Sequence, residues 1–262
     1  MMSMIISPHQ LGLPTFEVPV LLEQHAFLRI KGPDRFDFLQ GLMTQDVFLL
    51  NTQLSLYTLF LNPKGRFLWD AFLWQDGDSF LMEIPHRGLE LFAYLNRYKL
   101  RRNVTIQEEN DFCTLITPHH HTINDSYLTS FDARLPDVWM RHIIKKENLP
   151  PHSYTTDCNP YHFFRIAHGL AEGKDFIVEK SFPMEVGLQN FHALHFKKGC
   201  YIGQEPIARA HYQGVIRKKL CPIVYTDDAK SDACIVAIYS TSTYNGITLA
   251  LAMIRMESTE IS

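Results

Sequence analysis

The stretch whose residues could most plainly do chemistry is Lys197 to Arg209, K-K-G-C-Y-I-G-Q-E-P-I-A-R. Cys200 follows two lysines, lies between Gly199 and Gly203, and precedes Gln204-Glu205-Pro206, which reads as the opening turn of a helix through about Gln213. Neighbouring ammonium groups and the unpaired N–H groups of a helix start both favour thiolate over thiol. The glycines allow a tight turn or close approach of a ligand, and Pro206 is tolerated because its missing N–H has no partner in the first turn. The pattern suits a reactive sulfur at neutral pH. It would equally suit a tight turn around a small buried cysteine, since free cysteine is among the most buried residue types.

Other residues offer chemistry with less context. Asp70 is flanked by Phe67, Leu68, Trp69 and Phe72. If its strand turns it inward, it is partly desolvated and able to bind a protonated amine or mediate proton transfer; turned outward, it is an ordinary solvated acid. Glu185, within F-P-M-E-V-G-L-Q-N, is a ligand contact or a surface carboxylate in a Pro-Gly turn. The consecutive His119, His120 and His121 diverge in direction and read as a solvated loop rather than a metal site. From Lys197 to Lys219 six basic residues stand against Glu205 alone, a window that could hold a polyanion or form a solvated rim. No RNP-like aromatic motif accompanies it, so direct nucleic-acid binding is not expected.

Length and composition set the bounds. A chain of 262 residues with 46% hydrophobic residues can bury a substantial core, and a net charge of −3 gives no whole-molecule attraction to nucleic acid or membrane. The five cysteines are widely spaced, without C-x-x-C or adjacent histidines, so neither a disulfide framework nor a zinc site is indicated. Met1 to Ser7 lacks the basic and long apolar segments of a secretion signal, and no apolar run is long enough to span a bilayer. The expectation is a cytoplasmic protein. G-x-G-x-x-G and G-x-x-x-x-G-K-[ST] are both absent, which argues against a classical dinucleotide or triphosphate site.

Hydrophobic periodicity then places the elements. Residues 15–31 read as strands, and Gly32-Pro33-Asp34 breaks the chain with Asp34 as the N-cap of a helix. Three strands follow at 54–61, 66–74 and 79–84, joined by turn residues, then a helix to about Lys99 and strands near 104–106 and 112–116. Leu135, Val138, Trp139 and Ile143 recur at approximate helical spacing, and Asp157 can cap a helix carrying Tyr161, Phe164 and Ile166 inward. From Leu220 onward the chain reads as short strands. The class is α+β and not a doubly wound sheet.

K-G-C-Y-I-G-Q-E followed by Ala208-Arg209 resembles the signature of the YgfZ-like proteins, folate-binding relatives of the glycine cleavage T-protein that support iron–sulfur enzymes. D-R-F-D-F-L-Q-G-L-M-T-Q-D-V looks like the early helix and T-N-D-like turn of that superfamily, with Gln45 where Asn is usual. Tyr57 to Asp70 looks like the T-protein stretch supplying an aromatic wall and a carboxylate for tetrahydrofolate. Two departures point to the YgfZ-like branch: Ala167 stands where T-proteins place a pterin-binding glutamate, and Cys200 where they place an aspartate.

The resemblance implies two interwoven α+β subdomains around a central channel in residues 1–215, and an abbreviated β-barrel-like domain in residues 216–262. It implies tetrahydrofolate or a folate derivative as cofactor, contacted by Tyr57, Asp70, Glu185, Lys198, Gln204 and Arg209. Cys200 and Asp70 become the catalytic candidates, Cys200 as a reactive or cluster-handling thiolate with Lys198 and Arg209 as cationic partners. One cysteine without a nearby Cys or His cannot hold a cluster alone, so the partners implied are iron–sulfur assembly or client proteins, including enzymes that modify transfer RNA. The alternative is a tetrahydrofolate-dependent aminomethyltransferase using Asp70, against which the missing pterin glutamate argues.

Overall fold

The computed structural model describes residues 16–85, 87–119, 121, 123–151, 153–214, 216–226 and 232–256. Met1 to Ser7 and His120, which figured in the sequence reading, lie outside them. Three antiparallel sheets carry the chain. The first has strand order β3-β4-β5-β2-β6, formed by β2 (Ala26–Lys31), β3 (Ser55–Leu61), β4 (Phe67–Asp76), β5 (Ser79–Ile84) and β6 (Thr105–Glu109). The second runs β1-β7-β9-β8, from β1 (Val20–Leu22), β7 (Phe112–Pro118), β8 (Leu128–Phe131) and β9 (Trp139–Lys145). The third is β10-β12-β11, from β10 (Lys218–Val224), β11 (Ile235–Tyr244) and β12 (Ile247–Arg255). Among the described residues there are four α-helices, α1 (Arg35–Gln40), α2 (Gly88–Lys99), α3 (Asn159–Ala167) and α4 (Gln204–Gln213), besides short 3₁₀ turns.

Strand alternation decides what faces the centre. All seven residues of β3 are buried, because both faces of this sheet are covered. Tyr57, Leu59 and Leu61 enter the large central core, while Leu56 and Phe60 join a second core that also holds Phe38 and Leu39 of α1 and Leu91 and Leu95 of α2. On β4, Phe72 and Trp74 lie in the central core and Trp69, Ala71 and Leu73 in the second. Asp70 shares parity with Phe72 and Trp74, so the pleat turns it inward, and it is 2% exposed.

Two local expectations change. Asp34 precedes α1, but its side chain does not cap the helix; Oδ2 accepts instead from the Asn103 backbone N–H at 2.7 Å, tying α1 to the start of β6. The helical spacing around Trp139 gives way to strand β9, which pairs with β7 on one side and β8 on the other. Trp139 and Ile143 face the central core from this strand, with the buried Arg141 between them at the same parity. Ladder pairing on both edges overrides a weak 3.6-residue period.

The C-terminal strands form an open three-stranded sheet, with no closed barrel among the described residues. Leu220, Leu249, Leu251 and Met253 enter the same core as Phe163, Phe164 and Ile166 of α3. Also among the described residues, no helix is long and apolar enough to cross a membrane.

Candidate functional site

The central core encloses a charged network that its sequence neighbours do not announce. Arg134 donates to Asp132 (Nε to Oδ1 at 2.9 Å, Nη2 to Oδ2 at 2.8 Å), to Glu172 Oε2 at 2.9 Å and to the Tyr161 hydroxyl at 2.9 Å. Arg141 donates to Asp132 Oδ2 at 3.0 Å and to Glu83 Oε1 at 2.6 Å, and Glu83 also pairs with His25 Nδ1 at 2.6 Å. Both guanidinium planes lie over Phe72, with centroid distances of 4.7 Å for Arg134 and 3.8 Å for Arg141. That arrangement replaces part of the lost hydration with ring-face contact.

Asp70 completes this network on different terms. It receives the Tyr57 hydroxyl on Oδ2 at 3.0 Å, whereas each of the other three acids receives a guanidinium. Burial would raise every one of these carboxyl groups; Arg134 and Arg141 overcome it at Asp132, held down to about 2, and Arg134 and then Arg165 overcome it at Glu172. At Glu83 the opposing charge is Arg141. Asp70 has less compensation, so burial and then the Glu172 charge push it up to about 6. A buried carboxyl that titrates within about one pH unit of neutrality is suited to moving a proton.

A cavity of about 710 Å³ opens on the other side of Tyr57, between the start of β3, the edge of β8 and the segment after Gln189. Leu56, Met140 and Leu194 are among its apolar lining residues, and Gln45, Gln53, Ser55, Thr129 and Ser130 are among its polar ones. The volume is that of a site for a drug-sized or cofactor-sized molecule. Among the described residues Gln189 Oε1 and His195 Nδ1 are covered from solvent and have no hydrogen-bond partner.

The turn Thr44-Gln45-Asp46 holds one wall of the cavity in place. Thr44 Oγ1 accepts from the Leu59 N–H at 2.9 Å and donates to the Ala193 carbonyl at 2.6 Å, while Gln45 Nε2 donates to the His192 carbonyl. Asp46 Oδ1 accepts from Gln40 Nε2 at 2.9 Å and from the Phe48 N–H at 3.1 Å, capping a short 3₁₀ turn. His192 adopts φ +54°, a left-handed conformation in which non-glycine residues are uncommon.

Lys198 fastens the same two segments together further along. Its Nζ donates to the carbonyls of Gln40 at 2.8 Å, Met43 at 2.7 Å and Gln45 at 2.9 Å. Burial pushes its ammonium down to about 7, with Asp46 offsetting part of the cost. All three ammonium hydrogens are used on backbone carbonyls, so Lys198, expected from sequence as a cationic partner of Cys200 and a folate contact, stands here as a buried tie outside the cavity lining. Cys200 emerges two residues later, exposed to solvent, and is not among the residues lining the cavity.

The other residues singled out from sequence separate as well. Tyr57 lines the cavity, and Asp70 sits behind it. Glu185 lies toward the C-terminal sheet, where its backbone carbonyl accepts from the Leu220 N–H at 2.9 Å and its charge acts on Tyr239. Gln204 and Arg209 belong to α4, where they line a shallow surface groove; Arg209 is exposed and pairs with Glu205 at 3.0 Å. Glu185, Gln204 and Arg209 therefore do not line the cavity as folate contacts would. Gly203 N-caps α4 at φ +84°, and a Cβ there would lie 2.6 Å from the Asn62 carbonyl oxygen. Gly199 has open space around it, so of the two glycines flanking the cysteine only Gly203 is structurally required.

The fold superposes on the crystal structure of glycine cleavage system aminomethyltransferase T from Bartonella henselae with a TM-score of 0.68 at 14% identity, covering 92% of this chain and 79% of that one. The fold is that of aminomethyltransferase T. In sequence, the chain is 33% identical over 228 residues to the mitochondrial iron-sulfur cluster assembly factor IBA57 homolog of Mycosarcoma maydis, covering 76% of this chain and 55% of the relative. It is 31% identical over 231 residues to mitochondrial IBA57 of Mus musculus, covering 77% of this chain and 64% of that protein. The chain thus spans somewhat over half the length of these curated relatives. No family model matches it. The expectation of a cytoplasmic protein is overturned, because the relatives it resembles at this level are mitochondrial.

Proposed function

We propose that the chain is an iron–sulfur cluster assembly factor that binds a folate-class molecule in the cavity beside Tyr57 and presents Cys200 to a partner protein. The observation that carries this reading is the exposure of Cys200 on a loop whose approach is tied by Lys198 and whose exit is fixed by Gly203. A sulfur on the surface and outside the cavity lining is available to another protein's cluster, and contributes one ligand while the partner contributes the rest. Similarity at about 30% identity to iron–sulfur assembly factors supports the same reading. Client enzymes would include those that modify transfer RNA with sulfur.

The test is rescue of iron–sulfur enzyme activity in cells lacking this protein. Cys200→Ala is expected to fail while its melting curve stays that of the wild type, because the exposed side chain carries little packing. Full rescue by Cys200→Ala would refute the role of the sulfur. Tetrahydrofolate is expected to raise the melting temperature of both proteins alike.

A further inference from the structure

Helix α2 ends in a surface that folding alone does not explain. Its apolar face is satisfied, with Leu91 and Leu95 buried against the first sheet. Tyr98 stacks on Tyr94 at 4.6 Å and Tyr94 on Trp69 at 5.0 Å, which ties the end of the helix to the core. Beyond it the chain turns sharply: the Arg102 N–H donates to the Lys99 carbonyl at 3.0 Å, and Leu100 takes φ +48° and ψ −118° at the first corner. Those angles belong to a type II′ turn, at a corner dominated by glycine because a Cβ is crowded there. Here the corner carries a leucine that is 85% exposed, the most exposed large hydrophobic side chain among the described residues. Stability gains little from it, since it buries little area and holds a backbone conformation that glycine adopts more easily.

Positive charge surrounds this tip. Arg97, Lys99, Arg101 and Arg102 fall within one short stretch, and no acid occurs from residue 97 to residue 107. Arg97 and Lys99 complement the negative end of the helix, but Arg101 and Arg102 lie beyond it. Among the described residues none of the four side chains joins an ion pair. Tyr98, Leu100, Arg101 and Arg102 line a shallow groove with Asp34, whose carboxylate is engaged by the Asn103 N–H at 2.7 Å. We infer that this turn docks on an anionic lipid bilayer, with Leu100 entering the acyl boundary, Tyr98 at the headgroup level and the four cations on lipid phosphates. An apolar tip ringed by cations matches a bilayer surface, whereas a polyanion such as RNA would leave the leucine without a contact. The net charge of −3 gives the whole molecule no attraction to such a surface, so the contact is confined to this patch. None of its residues lines the cavity beside Tyr57, and the inference is independent of any ligand there.

The experiment is co-sedimentation of the full chain with vesicles of phosphatidylcholine and phosphatidylserine in equal parts, and with vesicles of phosphatidylcholine alone, alongside melting curves without lipid. The wild type is expected to bind only the anionic vesicles and to be released as salt rises. Replacing both arginines, Arg101→Ser with Arg102→Ser, is expected to weaken binding about tenfold or more, and Leu100→Gly roughly threefold or more. Leu100→Gly is expected to melt no lower than the wild type, because glycine suits the turn. Arg217→Ser with Lys219→Ser removes two exposed cations from the other basic segment and is expected to bind as the wild type does. Failure of the wild type to sediment with anionic vesicles would overturn the assignment, as would binding by the Arg101 and Arg102 variant within about twofold of wild type. An equal loss in the Arg217 and Lys219 variant would make the attraction one of general charge and overturn it too. Undiminished binding by Leu100→Gly would reduce the patch to a polyanion site, and a lower melting temperature for that variant would make the leucine a structural residue; either result would end the bilayer assignment.

Discussion

Asp70→Asn is expected to stabilise the protein above pH 6 and to leave it unchanged near pH 4. In the folded chain burial, and then Glu172, raise the Asp70 carboxyl from 3.8 to about 6. Between those values the native state holds a proton that the unfolded chain has released, so wild-type stability falls as pH rises through this window and remains low above it. At about 1.4 kcal/mol per pH unit, the interval corresponds to roughly 3 kcal/mol. Asparagine is close in shape to the protonated acid, and its Oδ1 can still accept the Tyr57 hydroxyl, so the variant escapes the loss. Glu172, Asp132 and Glu83 are held below their usual range in the folded chain, so they stay ionised there across this window in both proteins and the pH dependence of the difference comes from Asp70. Urea unfolding at pH 4, 5, 6 and 7.5 reads the effect directly. A variant less stable than wild type at pH 7.5, or a gain of the same size at every pH, would refute the placement of Asp70 as an undercompensated buried acid.

Other substitutions separate structural from functional charge. Arg134→Met, which strips Asp132 and Glu172 of a shared guanidinium, is expected to cost about 3–5 kcal/mol in urea unfolding at pH 7.5. Lys198→Met leaves three carbonyl oxygens without a donor and is expected to cost about 3 kcal/mol, measured by the same denaturation midpoint. Gly203→Ala places a Cβ 2.6 Å from the Asn62 oxygen at a left-handed φ and is expected to lower stability by more than about 1 kcal/mol, whereas Gly199→Ala stays within about 0.5 kcal/mol of wild type.

The sequence made the meander β3–β5 readable because its turns carry Asn, Pro, Gly and Asp, and because long apolar runs leave room for little else. It also singled out Tyr57 and Asp70, which are buried and hydrogen-bonded to each other, and Cys200, which is exposed. What stayed hidden was pairing across distance. Arg134, Arg141, Asp132 and Glu172 look like ordinary surface charges in sequence, and only their mutual pairing across separate segments shows them inside. Lys198 misled for the same reason: two residues from Cys200 in sequence, it spends its charge on carbonyls more than 150 positions away. His195 carried a weak signal, a histidine in the apolar run F-H-A-L-H-F, but nothing local says that its Nδ1 lacks a partner among the described residues.

One segment joins the two halves of the site. Within nine residues it lines the cavity with His192 and His195, buries Lys198 under the Thr44-Gln45-Asp46 turn, and exposes Cys200. Its contacts are backbone ties: His195 N–H to Thr44, Lys198 to three carbonyls, and Ile202 N–H to the Gly41 carbonyl at 3.1 Å. Because those ties lie between the cavity residues and the sulfur, movement of a side chain in the cavity is not free to displace the cysteine loop. Loss of the Lys198 ammonium would release both ends together. Lys198→Met should therefore weaken ligand binding and loosen the Cys200 loop in the same protein, whereas Gln189→Leu should affect the cavity alone; hydrogen exchange at Gly199 to Ile202 distinguishes the two.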